Sequence, residues 1–157
     1  MKELLNVWFL PVLWAALGSL GFGLLFGMRS KKLLYTALGG AITWLAYLLA
    51  VHLGLREDLS YAVSACIGTL YSEVMARVHN APVTTFIIPV NIPLIPGGYL
   101  FYSFLGLLER NTRQFVDRGK YALGVAGAIA LGIFVGTMLF RFIKEALGLF
   151  AKRRKAH

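Results

Sequence analysis

Long uncharged runs separated by short charged clusters dominate this chain and restrict the folds open to it. The runs cover residues 4–28, 33–55, 59–72, 83–108 and 121–140. A bilayer-crossing helix needs about 20 predominantly apolar residues at a rise of about 1.5 Å each. Only 15% of the residues are charged, compared with roughly a quarter in soluble domains. The pattern predicts an all-α integral membrane protein of about five transmembrane segments, with the charged clusters in loops.

One transmembrane domain covers residues 1–157 in this interpretation, because no repeat, low-complexity region or linker divides the chain. Its predicted spans are 4–28, 33–55, 59–76, 83–108 and 121–143, with a basic tail at 144–157. The third span is the shortest, and it approaches the required length only when residues 73–76 form its last turn.

The distribution of lysine and arginine predicts the orientation, because cytoplasmic loops near span ends are enriched in these residues. Arg29, Lys31 and Lys32 mark one cytoplasmic loop, and the basic tail reaches the same side four spans later. The amino terminus is then outside and the carboxyl terminus is cytoplasmic. The loop at 109–120 disagrees, since it would lie outside with four basic residues. A fourth run that re-enters the same side would bring this loop inside but would expel the tail, so five crossings fit better.

The net charge of +9 comes from basic residues at the ends of apolar runs. This placement indicates topology determinants and contacts with anionic lipids, which we expect at the basic tail. No stretch combines basic residues with aromatics in the manner of a nucleic-acid surface, so no nucleic-acid partner is expected.

Residue types suited to catalysis or metal binding are sparse. Cys66 is the only cysteine, which excludes an internal disulfide and a cysteine-based metal site. No two histidines have metal-ligand spacing, and the sequence contains no hydrolase or phosphate-loop motif. We therefore expect no enzyme activity, no catalytic residue, no metal and no cofactor.

The fourth run is the most informative, because Pro89, Pro93 and Pro96 lie within eight positions and Gly97 and Gly98 follow. Each proline removes an amide donor and clashes with the preceding turn, so the span is predicted to be broken. Broken backbone at membrane depth is tolerated in protein or beside a water-filled cavity, and discontinuous helices form the binding sites of transporters. A helix beginning near Gly97 would direct its first amides at an anionic group. A small carboxylate is the predicted guest, and a purely structural kink is the alternative.

Side chains around this break supply the candidate substrate-binding or pathway residues. They are Asn91, Pro93, Pro96, Gly97, Gly98, Tyr99, Tyr102 and Ser103. Tyr99, Tyr102 and Ser103 share one face of the second half-helix and could line a polar path. The two tyrosines could instead belong to an interfacial aromatic belt. Asn91 could bind substrate or satisfy a carbonyl freed by Pro93 or Pro96.

Glu73 and Arg77 are four residues apart near the inner end of the third span, which is the spacing of a helical ion pair. A boundary salt bridge is one interpretation. Because carboxylates inside membranes are often functional, proton coupling or gating at the inner mouth is the other.

Small residues recur every four positions in the first and last spans. They are Ala15, Ser19, Gly23 and Gly27 in the first, and Gly124, Ala128, Gly132 and Gly136 in the last. Such faces indicate tight helix packing. The packing could be within this chain or against a second subunit.

Several motifs are similar to the signature of the threonine/serine exporter family. They are Ala-Pro at 81–82 through Phe86, and Ile-Pro-Leu-Ile-Pro-Gly-Gly-Tyr at 92–99. The basic loop at 29–32, Gly68-Thr69 and Arg77 fit as well, so the resemblance covers nearly the whole chain. The chain resembles the small split subunit, which corresponds to the carboxyl-terminal membrane half of fused exporters.

This resemblance implies a larger membrane subunit as partner and export across the bacterial inner membrane. Threonine and serine are the substrates it implies for some members, and a dicarboxylate such as succinate for split forms. Both kinds of substrate carry a carboxylate. The family pattern carries over onto Pro93, Pro96, Gly97 and Tyr99.

Three hypotheses follow. The first is a subunit of a two-component secondary exporter, in which the broken segment binds a small carboxylate near the midplane. The second is a non-transporting scaffold that assembles a partner, and the third is a passive, channel-like pore. A homo-oligomer of this chain is a further alternative to the larger partner.

Overall fold

The computed structural model of this chain describes residues 8–29 and 31–154, with side chains as far as residue 146. Regular structure in this part of the chain is helical, as the sequence predicts. The helices are α1 (Leu10–Leu25), α2 (Lys31–His52), α3 (Glu57–Val78), α4 (Thr84–Asn91), α5 (Gly97–Leu108) and α6 (Thr112–Arg154), with a 3-10 turn at Ile92–Leu94 between α4 and α5.

Within residues 8–29 and 31–154, two helices are long and apolar enough to cross a membrane, namely α2 and the 35-residue stretch Thr112–Ala146 of α6. The bent pair formed by Thr84–Leu94 and Gly97–Leu108 would make a third span. The helical membrane fold is therefore supported, whereas the count of five spans stays a prediction.

The other two predicted spans do not meet these criteria of length and apolarity, for physical reasons. α1 is apolar but has only 16 residues, and the first residues of the predicted span 4–28 lie outside the described part. α3 has 22 residues but carries three acidic side chains and Arg77. Its apolar content is diluted further by serines on its buried face.

α3 and α6 lie side by side and run in the same direction. Tyr61 near the start of α3 packs with Val125 of α6, and Arg77 near the end of α3 stacks on the ring of Phe140 at 4.0 Å. The segment between the two helices therefore returns the chain from the end of α3 to the level at which α3 begins. α4 and the 3-10 turn make this return in the middle of the bundle, packed against α1, α2 and α3.

Small and hydroxyl-bearing side chains line the interior of the bundle. α3 buries Ser60, Ser64, Gly68 and Ser72 at intervals of four residues. Each serine hydroxyl donates to the carbonyl four residues earlier, so its polar hydrogen is satisfied without a partner helix. Close backbone contact between helices is the packing mode of membrane proteins.

The predicted small-residue faces pack within the chain at most of their positions. A β-carbon on Gly40 of α2 would collide with Ser19, and one on Gly136 would lie 2.9 Å from the carbonyl oxygen of Cys66. A β-carbon on Gly124 would have no heavy atom within 4 Å. Packing against a second subunit stays a prediction there.

The predicted break in the fourth segment is confirmed, with a bend of 62° between its two halves. Pro89 lies inside α4 without ending it. The α-helix ends at Asn91 and gives way to the 3-10 turn that contains Pro93. The backbone is then extended at Ile95, before Pro96. Extended backbone before a proline follows from the clash between the proline ring and the preceding residue.

The predicted loop at 109–120 is wrong for residues 112–120, which form the first turns of α6. Asn111 caps this helix, because its side-chain oxygen accepts the amide of Gln114 at 3.1 Å. Arg113 and Asp117 add an ion pair of 3.8 Å on the exposed surface. The tail predicted to begin at 144 also continues the helix, as far as Arg154. The prediction was wrong because charged residues end an apolar run but do not end a helix. With 43 residues, α6 is about 64 Å long at the usual rise per residue.

Candidate functional site

A cavity of about 370 Å3 lies at the break between α4 and α5. Its floor is the backbone at the break itself, and its walls come from α2, α3, α5 and α6. The lining residues are Trp44, Tyr61, Pro93, Ile95, Pro96, Gly97, Gly98, Tyr99, Tyr102 and Arg118. Gly97, Gly98 and Arg118 are exposed, so the cavity opens to the surroundings.

Arg118 supplies the positive charge of this cavity. Its guanidinium carbon lies 5.8 Å from the ring centroid of Tyr99 and 6.0 Å from that of Tyr102. Within the described part of the chain it forms no ion pair, whereas Arg113, one turn earlier, is paired with Asp117. A guanidinium that lies over aromatic rings and lacks a carboxylate can bind one from solution.

The start of α5 adds backbone donors to the same cavity. The first amides of a helix have no partner within it. Here the amide of Gly97 donates to Ile95 at 2.7 Å and that of Leu100 to Pro96 at 3.1 Å. Among the described residues, the amides of Gly98 and Tyr99 have no backbone acceptor. The positive end of the α5 dipole therefore lies beside Arg118.

Two buried side-chain donors also lack partners. The indole Nε1 of Trp44 and the hydroxyl of Tyr121 are buried without a hydrogen bond to any described residue. The Tyr121 ring packs on Tyr99 with centroids 4.1 Å apart. The side chains of Glu57 and Tyr99 lie close to the Tyr121 hydroxyl. Buried polar atoms are normally satisfied, so Trp44 Nε1 is the donor of the two that indicates an ordered water or a polar guest.

A second cavity of about 580 Å3 adjoins the first and shares Tyr99 and Arg118 with it. The remaining lining residues belong to the start of α6, and they are polar or aromatic: Asn111, Arg113, Gln114, Asp117 and Tyr121. A solute could pass from one cavity to the other along Arg118.

A family comparison identifies this architecture. The family model described as Threonine/Serine exporter, ThrE, matches residues 11–139, which is more than half of the 157-residue chain. This chain belongs to the threonine/serine exporter family. No solved structure matches it.

Membership supports a role in transport across a membrane. The match includes α1 to α5 and most of the apolar part of α6. The polar cavity at the broken helix therefore lies within the matched region.

Six of the eight residues predicted from the sequence line the cavity of the exporter. They are Pro93, Pro96, Gly97, Gly98, Tyr99 and Tyr102. Ser103 lies elsewhere, because its hydroxyl donates to the carbonyl of Phe115 at 2.8 Å and attaches α5 to α6. Asn91 is buried below the break, where its amide nitrogen donates to the carbonyl of Ile87 at 2.9 Å.

The cavity lies closer to one end of the bundle than the midplane hypothesis expects. Tyr61 is in the second turn of α3, and Trp44 is two turns from the end of α2. This end is the one that the charge pattern predicts to be outside. The break is displaced because α4 and the 3-10 turn carry the chain from the level of Ala76, which clusters with Phe86, to that of Tyr61, which clusters with Leu94, before it bends.

Glu73 and Arg77 form the predicted ion pair near the opposite end of the bundle. Arg77 Nη1 donates to the Glu73 carboxylate and, at 2.6 Å, to the Glu73 carbonyl. The Glu73 side chain is 6% exposed and that of Arg77 43%. The pair is remote from the cavity, so a role in proton coupling or gating stays a prediction.

Arg118, Trp44 and Tyr61 are cavity residues that the sequence interpretation did not identify. Arg118 had a signal, since the loop at 109–120 holds basic residues on the side predicted to be outside. A positive charge that topology does not explain can be retained for binding. Trp44 and Tyr61 had no such signal, because single aromatics in apolar runs are common.

Proposed function

We propose that this chain is one subunit of a two-component secondary exporter, which moves a small carboxylate solute out across the bacterial inner membrane. The observation that carries the proposal is the Arg118 guanidinium, which has no ion-pair partner among the described residues and lies beside the amino-terminal end of α5 in an open cavity. A carboxylate would bind Arg118 in a charge-assisted contact. It would complete its hydrogen bonds with the Gly98 and Tyr99 amides.

The rest of the cavity favours a substrate with further polar groups but only one carboxylate. Trp44 Nε1 offers a hydrogen bond to a hydroxyl. Tyr61, which also lines the cavity, stacks on Tyr47 with ring centroids 4.6 Å apart. The Tyr47 hydroxyl is 3.5 Å from the Glu57 carboxylate, which would attract an ammonium group and repel a second carboxylate. We therefore place threonine and serine ahead of a dicarboxylate such as succinate.

A larger membrane subunit is the proposed partner, and α5 is the proposed contact. α5 packs mainly against residues 112–121 of α6. α3 packs further along α6, with Ala62 against Gly132 and Cys66 against Gly136. The hairpin of α5 and early α6 therefore projects beyond the start of α3. Its large apolar side chains are 41–80% exposed: Leu100, Phe101, Phe104, Leu107 and Leu108.

The hydrocarbon layer of a membrane is an unfavourable environment for this projecting hairpin. Arg113 and Asp117 are exposed at the same level, and charged side chains avoid the hydrocarbon layer. A protein surface can cover the apolar side of α5 while the charges stay in water. A partner bound there would also close the cavity at the foot of the hairpin, so the substrate site would lie at the subunit interface.

Efflux from preloaded cells tests this function. Cells loaded with labelled threonine, serine and succinate are compared when they express this chain alone, the larger subunit alone, or both. We expect efflux of threonine and serine only with both subunits, and its loss when the proton gradient is collapsed. Tyr99→Ala should reduce that efflux and Leu131→Ala, on the exposed apolar face of α6, should not. Equal efflux by the Tyr99→Ala variant would favour the scaffold, and gradient-independent flux would favour the pore.

A further inference from the structure

A third cavity, of about 270 Å3, adjoins the cavity at the break on the side of α1 and α2. We call it the side pocket, and its lining residues are Pro11, Trp14, Ala15, Trp44 and Pro93. None of these five residues carries a charge, whereas the cavity at the break contains Arg118. Apolar and aromatic linings of this kind suit hydrocarbon groups. The side pocket therefore differs in chemistry from the polar cavity beside it.

Trp44 and Pro93 line both the side pocket and the cavity at the break. These two residues therefore form the partition between the two spaces. Pro93 contributes only a small ring, which belongs to the 3-10 turn. Trp44 contributes an indole, the largest of the protein side chains. The size of the residue at position 44 thus determines whether the two spaces are separate or joined.

Aromatic contacts hold the Trp44 indole in place. Its ring centroid lies 5.1 Å from that of Tyr47, and the Tyr47 ring lies 4.6 Å from that of Tyr61. Trp44 also packs against the buried cluster that contains Tyr61 and Leu94. Aromatic pairs at these distances attract each other. The indole is therefore a fixed wall of the cavity and not a mobile gate.

The proposed position of the substrate directs its side chain towards this wall. Arg118 lies on α6, which packs mainly on α3 and α5, whereas Trp44 lies on α2, which packs mainly on α1, α3 and α4. α2 and α6 therefore stand on different sides of the cavity. An amino acid bound through its carboxylate at Arg118 and the α5 amides extends away from α6, so its side chain approaches Trp44.

We infer that Trp44 limits the size of the substrate side chain, because it closes the cavity at the break against the side pocket. The inference rests on the proposed function and narrows its substrate class to amino acids with short side chains. With the indole in place the cavity measures about 370 Å3, and a long side chain directed at α2 meets the indole. Without the indole, the side pocket offers apolar space to a larger side chain, such as that of leucine.

The efflux of leucine relative to threonine tests this role in cells that express both subunits. The cells are loaded with both labelled amino acids, so the ratio of the two fluxes does not depend on the amount of exporter. Trp44→Ala joins the two spaces. We expect it to raise the leucine-to-threonine ratio about tenfold or more, since a single methylene group in an apolar pocket changes discrimination by roughly 10- to 200-fold. Lysine efflux should not rise, because none of the five residues that line the side pocket is acidic.

Three further variants separate the size of the wall from its other properties. Trp44→Phe removes Nε1 but keeps an aromatic ring, so its ratio should rise much less than that of Trp44→Ala. Trp44→Leu shortens the wall but keeps an apolar contact with Tyr47, and it carries the test if Trp44→Ala does not fold. Trp14→Ala is the matched control, because Trp14 is 65% exposed on α1 and lines only the side pocket of the two spaces. Its ratio should equal that of the unmodified chain.

Isothermal titration of the reconstituted exporter with leucine gives a second measurement, which does not depend on transport. Leucine binding that appears in Trp44→Ala and Trp44→Leu, but not in Trp14→Ala, supports the inference. Threonine efflux without any gain of leucine efflux or binding in the two Trp44 variants would overturn this inference alone, and lipid would then fill the side pocket. An equal gain in Trp14→Ala would overturn it as well. Absence of threonine efflux from the unmodified exporter would instead contradict the proposed function, and the titration would still test Trp44.

Discussion

The guanidinium of Arg118 lies 5.8 Å from the ring of Tyr99, so a cation from early α6 faces the first turn of α5 across the break in the fourth segment. Neither residue is near the other in sequence. The short turn at 109–111 brings them together, because it folds early α6 back along α5. The 62° bend separates α5 from α4, so the first α5 amides lie at the break beside this charge.

Replacing Arg118 tests whether this charge binds the substrate. Arg118→Gln should reduce efflux at low substrate concentration about tenfold or more, since a hydrogen bond to a charged group contributes roughly 1.5–3 kcal/mol. Efflux at saturating substrate should change less. Lys120→Gln is the control, because Lys120 is exposed on the same helix and lines neither cavity. Similar losses in both variants would indicate a general effect of surface charge.

Trp44 lines the same cavity, and its indole Nε1 is a buried donor without a partner among the described residues. Trp44→Phe keeps most of the ring but removes Nε1, and we expect threonine to bind about 2- to 10-fold more weakly, as for one lost neutral hydrogen bond. Binding of a solute without a hydroxyl, such as alanine, should change little. Trp14→Phe provides the comparison, since Trp14 is 65% exposed. Isothermal titration of the reconstituted protein measures each affinity.

The contact between α3 and α6 depends on Gly132. A β-carbon there would collide with the carbonyl oxygen of Ala62, so Gly132→Ala should destabilise the bundle by about 1–3 kcal/mol, as overpacking does. Gly124→Ala should be neutral or stabilising by up to about 1 kcal/mol, because it only improves helix propensity. The unfolding temperatures of the two variants in detergent would be compared. Equal behaviour would contradict the close packing at Gly132.

The ion pair between Glu73 and Arg77 predicts a non-additive pair of substitutions. Arg77→Gln leaves a buried carboxylate without its cation and should lower the unfolding temperature, because removing one partner of a buried pair is strongly destabilising. Adding Glu73→Gln to that variant should restore much of the loss. A proton-coupling role makes a different prediction, namely that Glu73→Gln alone abolishes efflux without loss of stability. Efflux and unfolding measured on the same three variants separate the two interpretations.

The break in the fourth segment could be predicted because its cause is local. Pro93 and Pro96 remove amides and restrict their neighbours wherever they stand. Pro89 shows the limit of this reasoning, since α4 continues through it. The missing hydrogen bond is tolerated there because α1, α2 and α3 enclose the helix.

The start of α6 was harder to predict because the helix begins at Thr112, whereas the apolar run begins only after Lys120. Asn111 and Gln114 have the spacing of a helix cap, and that signal identifies the boundary better than the loss of apolarity at Lys120. The cavity itself depends on distant positions in the sequence. Trp44, Tyr61 and Arg118 come from three helices, and nothing in the sequence around each residue shows that they converge.

The buried face of α3 also determines which positions of this chain can change over evolutionary time. Lipid accepts apolar side chains of many shapes, so the large residues on the outer surface can replace one another freely. Ser64, Gly68 and Ser72 have no such freedom, because a larger side chain would push neighbouring helices apart. Related chains should therefore keep their small interior residues while their large apolar residues diverge, which reverses the usual pattern of water-soluble proteins.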